Sequence, residues 1–62
     1  MYEEMFLNGV KYPVNYIYYY DNDGDLVTEA SIEVGLTLYA GRAYSYVEAW
    51  KELGRVVKQK KE

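Results

Sequence analysis

The segment DNDGD, which begins at Asp21, holds the side chains of this chain that are best suited to bind a metal ion. Oxygen ligands at alternating positions followed by glycine are the pattern of an EF-hand calcium loop. If Gly24 is the sixth loop position, Tyr19 and Ala30 occupy the first and twelfth, so the terminal carboxylates are missing. A loop starting at Asp21 puts Leu26 where the glycine belongs. The spacing therefore predicts no metal site and favours a hairpin turn, which uses the same Asn-Asp-Gly chemistry.

Groups for nucleophilic or acid–base catalysis are scarce. The chain has no histidine and no cysteine, so the usual activating bases, thiol nucleophiles and zinc or haem ligands are missing. Glu29 and Glu33 are expected on one sheet face, but that face is open to water and is better read as a solvated surface. Isolated glycines form no phosphate-binding loop. We therefore predict that the chain is not an enzyme and has no catalytic residues, no metal and no cofactor.

Tyrosine is the residue in excess, since nine of the 62 residues are tyrosine. Aromatic side chains suit a half-buried pleated surface, so some of them belong to the core. Tyrosine also offers a large contact area at a small entropic cost, with a hydroxyl that can pair at the rim of an interface. This excess favours recognition of another macromolecule.

Length and charge limit the kind of protein. A chain of 62 residues is one small domain, residues 1–62, and without cysteine it has no disulfide, so regular packing or oligomerisation must stabilise it. The net charge of −3 disfavours nonspecific binding to nucleic acid. No apolar run approaches the roughly 20 residues of a membrane span, and the acidic N-terminus is unlike a secretory signal. We expect a soluble, cytoplasmic protein without membrane contact.

The dipeptide NG at positions 8–9 predicts the first turn. Both residues accept positive φ, which is typical of a two-residue hairpin. The turn would pair Leu7 with Val10 and Met5 with Tyr12.

The segment DNDGD predicts the second turn, and the hydrophobic pattern of its flanks selects the geometry. A type I turn at positions 22–23, with Gly24 in the left-handed bulge position, makes every pair apolar or nearly so. A two-residue turn would place valine and tyrosine opposite glutamate and serine. The predicted pairs are Tyr20 with Leu26, Tyr18 with Thr28, Tyr16 with Ala30 and Val14 with Ile32.

The segment SYVE predicts the start of a helix. Ser45 and Glu48 have the spacing of a capping box. At the helical period an apolar stripe follows, formed by Tyr46, Trp50, Leu53 and Val57 and flanked by Ala49 and Val56. Gly54, inside this helix, indicates close approach to the sheet or to a partner.

These elements predict an α+β fold in which a three-stranded antiparallel β-meander is followed by one C-terminal α-helix packed on one sheet face, in the order β-β-β-α. The third strand, residues 25–39, outreaches its neighbours, so we expect a bend or bulge near Gly35. The residues expected to face the core are Met5, Leu7, Val10, Tyr12, Val14, Tyr16, Tyr18, Tyr20, Leu26, Ala30, Ile32, Val34, Leu36 and Leu38.

Parts of both sheet faces should stay uncovered. One helix, about 10 Å across, cannot cover three strands, so some of the tyrosines should project past its edge. No segment remains to bury the opposite face, and an uncovered apolar patch usually marks an interface. The predicted partner-binding residues are Phe6, Ile17, Tyr18, Tyr19, Tyr20, Val27 and Tyr39.

The sequence thus favours a noncatalytic protein-binding module that acts through a tyrosine-rich sheet surface and forms a homodimer. Small size, acidity and the lack of cysteine suit a virus- or phage-encoded inhibitor of a host protein. One alternative is a single-stranded nucleic-acid-binding protein that stacks bases on the sheet tyrosines. Its phosphate contacts would come from Lys51, Arg55, Lys58, Lys60 and Lys61. Another alternative is a small structural subunit of a larger assembly.

Overall fold

A computed structural model describes residues 2–60 of the chain, with side chains as far as Gln59. Its elements are β1 (Glu4–Leu7), β2 (Val10–Pro13), β3 (Asn15–Tyr20), β4 (Leu26–Val34), β5 (Thr37–Ala43) and the helix α1 (Tyr46–Lys60). Strands β1 and β2 form an antiparallel hairpin, and β3, β4 and β5 form an antiparallel sheet in that order. The helix packs on this sheet, so the predicted α+β fold with a C-terminal helix on a three-stranded antiparallel sheet is confirmed.

The β1–β2 hairpin has the predicted turn and register. Asn8 and Gly9 both have positive φ, 53° and 81°, as a type I′ turn requires. Leu7 pairs with Val10. Met5 and Leu7 are buried in the core that α1 shares with β4, so the hairpin lies on the same sheet face as the helix. This covered face is called the inner face below, and the opposite one the outer face.

The turn between β3 and β4 is the predicted bulged turn. The Asp21 carbonyl accepts a bond from the Gly24 amide at 3.1 Å, and the Asp21 amide donates to the Asp25 carbonyl at 2.9 Å. Gly24 has a φ of 85°. Asp21 Oδ1 also accepts bonds from the amides of Asp23 and Asp25, each at 2.9 Å. The resulting register matches all the predicted pairs that lie within the two strands, from Tyr16 with Ala30 to Tyr20 with Leu26.

The predicted third strand is two strands, because the chain reverses at Gly35 instead of bending. Gly35 has a φ of 64° and stands first of two turn residues, the position that a type II′ turn gives to glycine. Val34 therefore pairs with Thr37. A two-residue turn places odd-numbered residues of β5 on the same face as even-numbered residues of β4. Leu36 lies in the turn and is fully exposed, and Leu38 lies on the outer face, so neither joins the core.

Helix α1 begins at the predicted cap, where the Glu48 amide donates to Ser45 Oγ at 3.3 Å. Its buried stripe consists of Ala49, Leu53 and Val57, and Trp50 and Tyr46 lie at its margin. Trp50 is part-buried, and its Nε1 donates to the Glu4 carbonyl at 2.9 Å, which ties the helix to β1. Within residues 2–60 no helix is long and apolar enough to span a membrane.

The helix rests directly on Gly41 of β5. A Cβ atom at this position would overlap the backbone nitrogen of Leu53 and would lie 2.7 Å from its Cα atom. Ala30 and Ala49, both fully buried, leave little side-chain volume between the layers as well. The close packing of helix and sheet therefore depends on the missing side chain at Gly41.

Replacing Gly41 with alanine should destabilise the fold by about 3 kcal/mol, because the added methyl collides with helix backbone that cannot rotate away. The matched control is Gly54→Ala. A Cβ there would meet Met5 Cε at 3.7 Å, an ordinary contact, so the helix should gain up to about 1 kcal/mol. Urea unfolding followed by circular dichroism measures both changes. Equal effects of the two substitutions would contradict this account of Gly41.

Candidate protein-binding surface

The inner face is covered unevenly. Helix α1 packs on β5 and β4. This position leaves the half of β3 next to the β3–β4 turn exposed to solvent. Tyr18 is 60% exposed, Tyr20 is 73% exposed, and the neighbouring Leu26 on β4 is 49% exposed. These three side chains, called the tyrosine face below, form a contiguous patch because Tyr20 and Leu26 are cross-strand partners. Tyrosines thus project past the helix edge, as the sequence predicts.

An aromatic cluster borders the tyrosine face and fixes the N-terminal segment. The Tyr2 ring packs edge to face against Trp50 and Tyr46, with ring centres 5.2 and 5.8 Å apart. Tyr16 packs in the same way on Tyr46 at 5.8 Å, and its hydroxyl donates to the Tyr2 carbonyl. Such edge-to-face pairs add stability beyond the area that they bury. The cluster joins β3, the helix and Tyr2 into one support for the tyrosine face.

The outer face is less apolar than the sequence suggests. Ile17 is exposed, but Tyr19 is part-buried and Val27 is only 8% exposed. The Arg42 guanidinium lies beside Tyr19, and the interaction with Tyr19, followed by the charge of Glu29, raises the pKa of Arg42. This face therefore presents a polar centre with Ile17 at its edge.

A shallow cavity of about 280 Å³ lies at one end of the outer face. Its lining consists of Tyr19, Asp21, Val27, Arg42, Ala43 and Tyr44. The Tyr44 hydroxyl is 3.4 Å from Asp21 Oδ2, and the nearby Asp21 carboxylate raises the pKa of Tyr44. The sequence does not predict Tyr44 and Leu38 as outer-face residues, because the reversal at Gly35 changes the face of every residue that follows it in β5. The signal for this reversal is the glycine in the middle of a predicted strand that is too long.

Two of the predicted partner-binding residues lie elsewhere than predicted. Tyr39 does not face outward: it pairs with Ile32 and packs against the core, because the turn at Gly35 reverses the face of β5. Phe6 belongs to the separate β1–β2 hairpin, where it pairs with Lys11. Partner binding by Phe6, Ile17, Tyr18, Tyr19, Tyr20, Val27 and Tyr39 stays a prediction, and of these Phe6, Ile17, Tyr18 and Tyr20 have well-exposed side chains.

Phe6 lines a groove between β1 and the helix. The groove has a volume of about 340 Å³, and Met5, Trp50 and Val57 contribute to its lining. Three cations of the helix, Lys51, Arg55 and Lys58, also line it. These cations therefore lie beside Phe6 and Trp50, not beside the tyrosines of β3; the side chain of Lys60 and the whole of Lys61 lie outside the described residues.

The three aspartates of the β3–β4 turn come close together, with one oxygen of each within 4.8 Å of the others. Asp21 uses Oδ1 to bind two amides of the turn, and Asp23 and Asp25 are exposed. This is the hydrogen bonding that aspartate supplies in turns. The cluster is therefore explained by the turn.

Comparison with protein-family models, with curated protein sequences and with solved structures finds no match for this chain.

The stability of the fold should fall as the pH rises above 10. Burial, followed by the neighbouring Tyr46, raises the pKa of Tyr16 above its ordinary value of 10.0. The Tyr16 hydroxyl therefore keeps its proton to a higher pH in the folded chain than in the unfolded chain. Its contribution to the free energy of unfolding is complete below pH 10 and is lost as Tyr16 ionises in the folded chain. Tyr16→Phe should lower stability at neutral pH by about 1 kcal/mol, through the lost hydrogen bond, and should reduce the alkaline decline. Urea midpoints across this pH range test it; an unchanged decline in the variant would contradict it.

Proposed function

We propose that this chain is a noncatalytic protein-binding module whose contact surface is the tyrosine face. One observation carries the proposal: Tyr18, Tyr20 and Leu26 are exposed together on the sheet, outside the core that the helix and the N-terminal hairpin complete. Tyrosine is enriched at protein interfaces, because its side chain offers a large contact area and loses little conformational entropy when it is fixed there. The patch therefore suits contact with a protein.

The absence of histidine and cysteine from the sequence supports a noncatalytic role. A noncatalytic module would act on a partner by occupying its surface, as an inhibitor encoded by a virus or phage does to a host protein. The same surface would serve a structural subunit of an assembly.

Replacing Tyr18 and Tyr20 together with serine should abolish partner binding and leave the fold intact, because both side chains are largely exposed. The matched control is Leu36→Ser with Leu38→Ser, which removes two exposed apolar side chains from the other end of the sheet. All three chains are immobilised, and the proteins retained from a cell extract are quantified. Proteins held by the native chain and the leucine control but lost from the tyrosine variant are expected. The same proteins on all three chains would contradict the proposal, and circular dichroism checks the fold.

Binding of single-stranded nucleic acid is the second candidate, and the groove beside Phe6 favours it. Its cations could contact phosphates, and Phe6 or Trp50 could stack on a base. Against it stand the net charge of −3 and the ion pair of Arg55 with Glu52 at 3.4 Å.

The leading proposal predicts no binding of a single-stranded oligonucleotide even at low salt. Trp50 is the single tryptophan of the chain and lines the groove, so its fluorescence reports directly on base stacking. Quenching that disappears steeply as salt is added, and that weakens in a Lys51→Gln, Lys58→Gln variant, would instead establish the nucleic-acid function.

A further inference from the structure

The free edge of β3 carries backbone groups without partners. The Asp21 amide donates to the Asp25 carbonyl, so Asp21 is a hydrogen-bonded position of the β3–β4 ladder. Because bonded and non-bonded positions alternate along an antiparallel pair, Tyr19 and Ile17 also bond to β4, whereas the N–H and C=O groups of Tyr18 and Tyr20 point away from it. Among the described residues, no backbone or side-chain hydrogen bond reaches these groups.

The N-terminal segment lies beside the other end of β3. The Val14 amide donates to the Glu3 carbonyl at 2.8 Å, and the Tyr16 hydroxyl donates to the Tyr2 carbonyl. The part of β3 that is away from this segment lies toward the β3–β4 turn, at Tyr18 and Tyr20.

This open edge has none of the features that usually protect edge strands. Proteins protect such edges with charged residues, proline or bulges. Strand β3, with the sequence NYIYYY, contains no charge and no proline, and its pairing with β4 is continuous. The opposite edge of the sheet, β5, carries Arg42. An unprotected apolar edge with free donors and acceptors fits another β-strand.

We propose that the occupant is β3 of a second copy of this chain, paired antiparallel about a twofold axis at Tyr19. In this register Tyr18 of one copy and Tyr20 of the other exchange both of their backbone bonds. The pairing joins two three-stranded sheets into one continuous sheet. It gives a geometry to the homodimer that the sequence predicts. It rests on the proposed function in one respect, since a dimer of this kind presents the tyrosine face twice.

The charges and side chains of β3 fit this self-pairing. Opposite residues of an antiparallel pair project to the same face, so Tyr18 and Tyr20 of the two copies stack on the inner face. Asp21 lies opposite Ile17 of the other copy, so the two acidic turns lie at opposite ends of the interface. The alternative register centred on Tyr18 would bring Tyr20 against Tyr16, where the N-terminal segment already lies.

Single cysteines test both the dimer and its register, because the native chain has no cysteine. Tyr19 is a non-hydrogen-bonded position on the new edge, where opposite Cα atoms are about 4.5 Å apart, within the range of a disulfide. Tyr19→Cys should therefore form a disulfide-linked dimer under mild oxidation. Ile17→Cys is the matched control in the same strand, since its copies would be about 13 Å apart along the strand. Leu36→Cys is the control for random collision.

We expect Tyr19→Cys to cross-link at least about tenfold faster than either control, because Cα atoms beyond about 7 Å cannot be bridged. Light scattering of the native chain should show twice the monomer mass. A monomer at all concentrations with equal cross-linking rates would overturn the second-copy proposal, and faster cross-linking through Ile17 would overturn the register. Failure of the dimer and failure of the proposed function are distinguishable: a monomeric native chain that still retains proteins lost from the Tyr18→Ser, Tyr20→Ser variant overturns the dimer and leaves the proposed function standing.

Discussion

The contact between Gly41 and the backbone of α1 determines the arrangement of the molecule. A Cβ atom at Gly41 would overlap Leu53 N, so the helix can approach the sheet this closely only because glycine has no side chain. Ala30 and Ala49 allow the same close approach beside it. The helix therefore lies over β5 and β4, and the N-terminal hairpin supplies Met5 and Leu7 to complete the core.

The exposed tyrosines follow from this placement. A helix seated on β5 cannot also cover β3, so the inner-face side chains of β3 nearest the turn have no partner within the described chain. Tyr16 is the exception, since Tyr46 and the Tyr2 carbonyl contact it. The boundary between the core and the exposed tyrosine face thus falls within a single strand, between Tyr16 and Tyr18.

Local chemistry made most of the fold predictable. The Asn8-Gly9 turn, the bulged turn at Gly24 and the cap at Ser45 all form as the sequence indicates, because each depends on residues within a few positions of one another. The reversal at Gly35 is not evident from the sequence, because the even-numbered apolar residues continue through it in the pattern of one strand. The prediction of one strand placed Tyr39 on the wrong face and hid the outward position of Leu38.

The sequence by itself determined the fold class, the registers of two hairpins and the excess of tyrosine over what a small core can hold. Only the tertiary structure decided which tyrosines are exposed and which strand is the open edge. It also placed Phe6 in the same groove as the cations of the helix. The physical reason is distance along the chain. Turns and caps are set by neighbouring residues, whereas exposure depends on where a helix more than ten residues away along the chain comes to rest, and the fit at Gly41 decides that position.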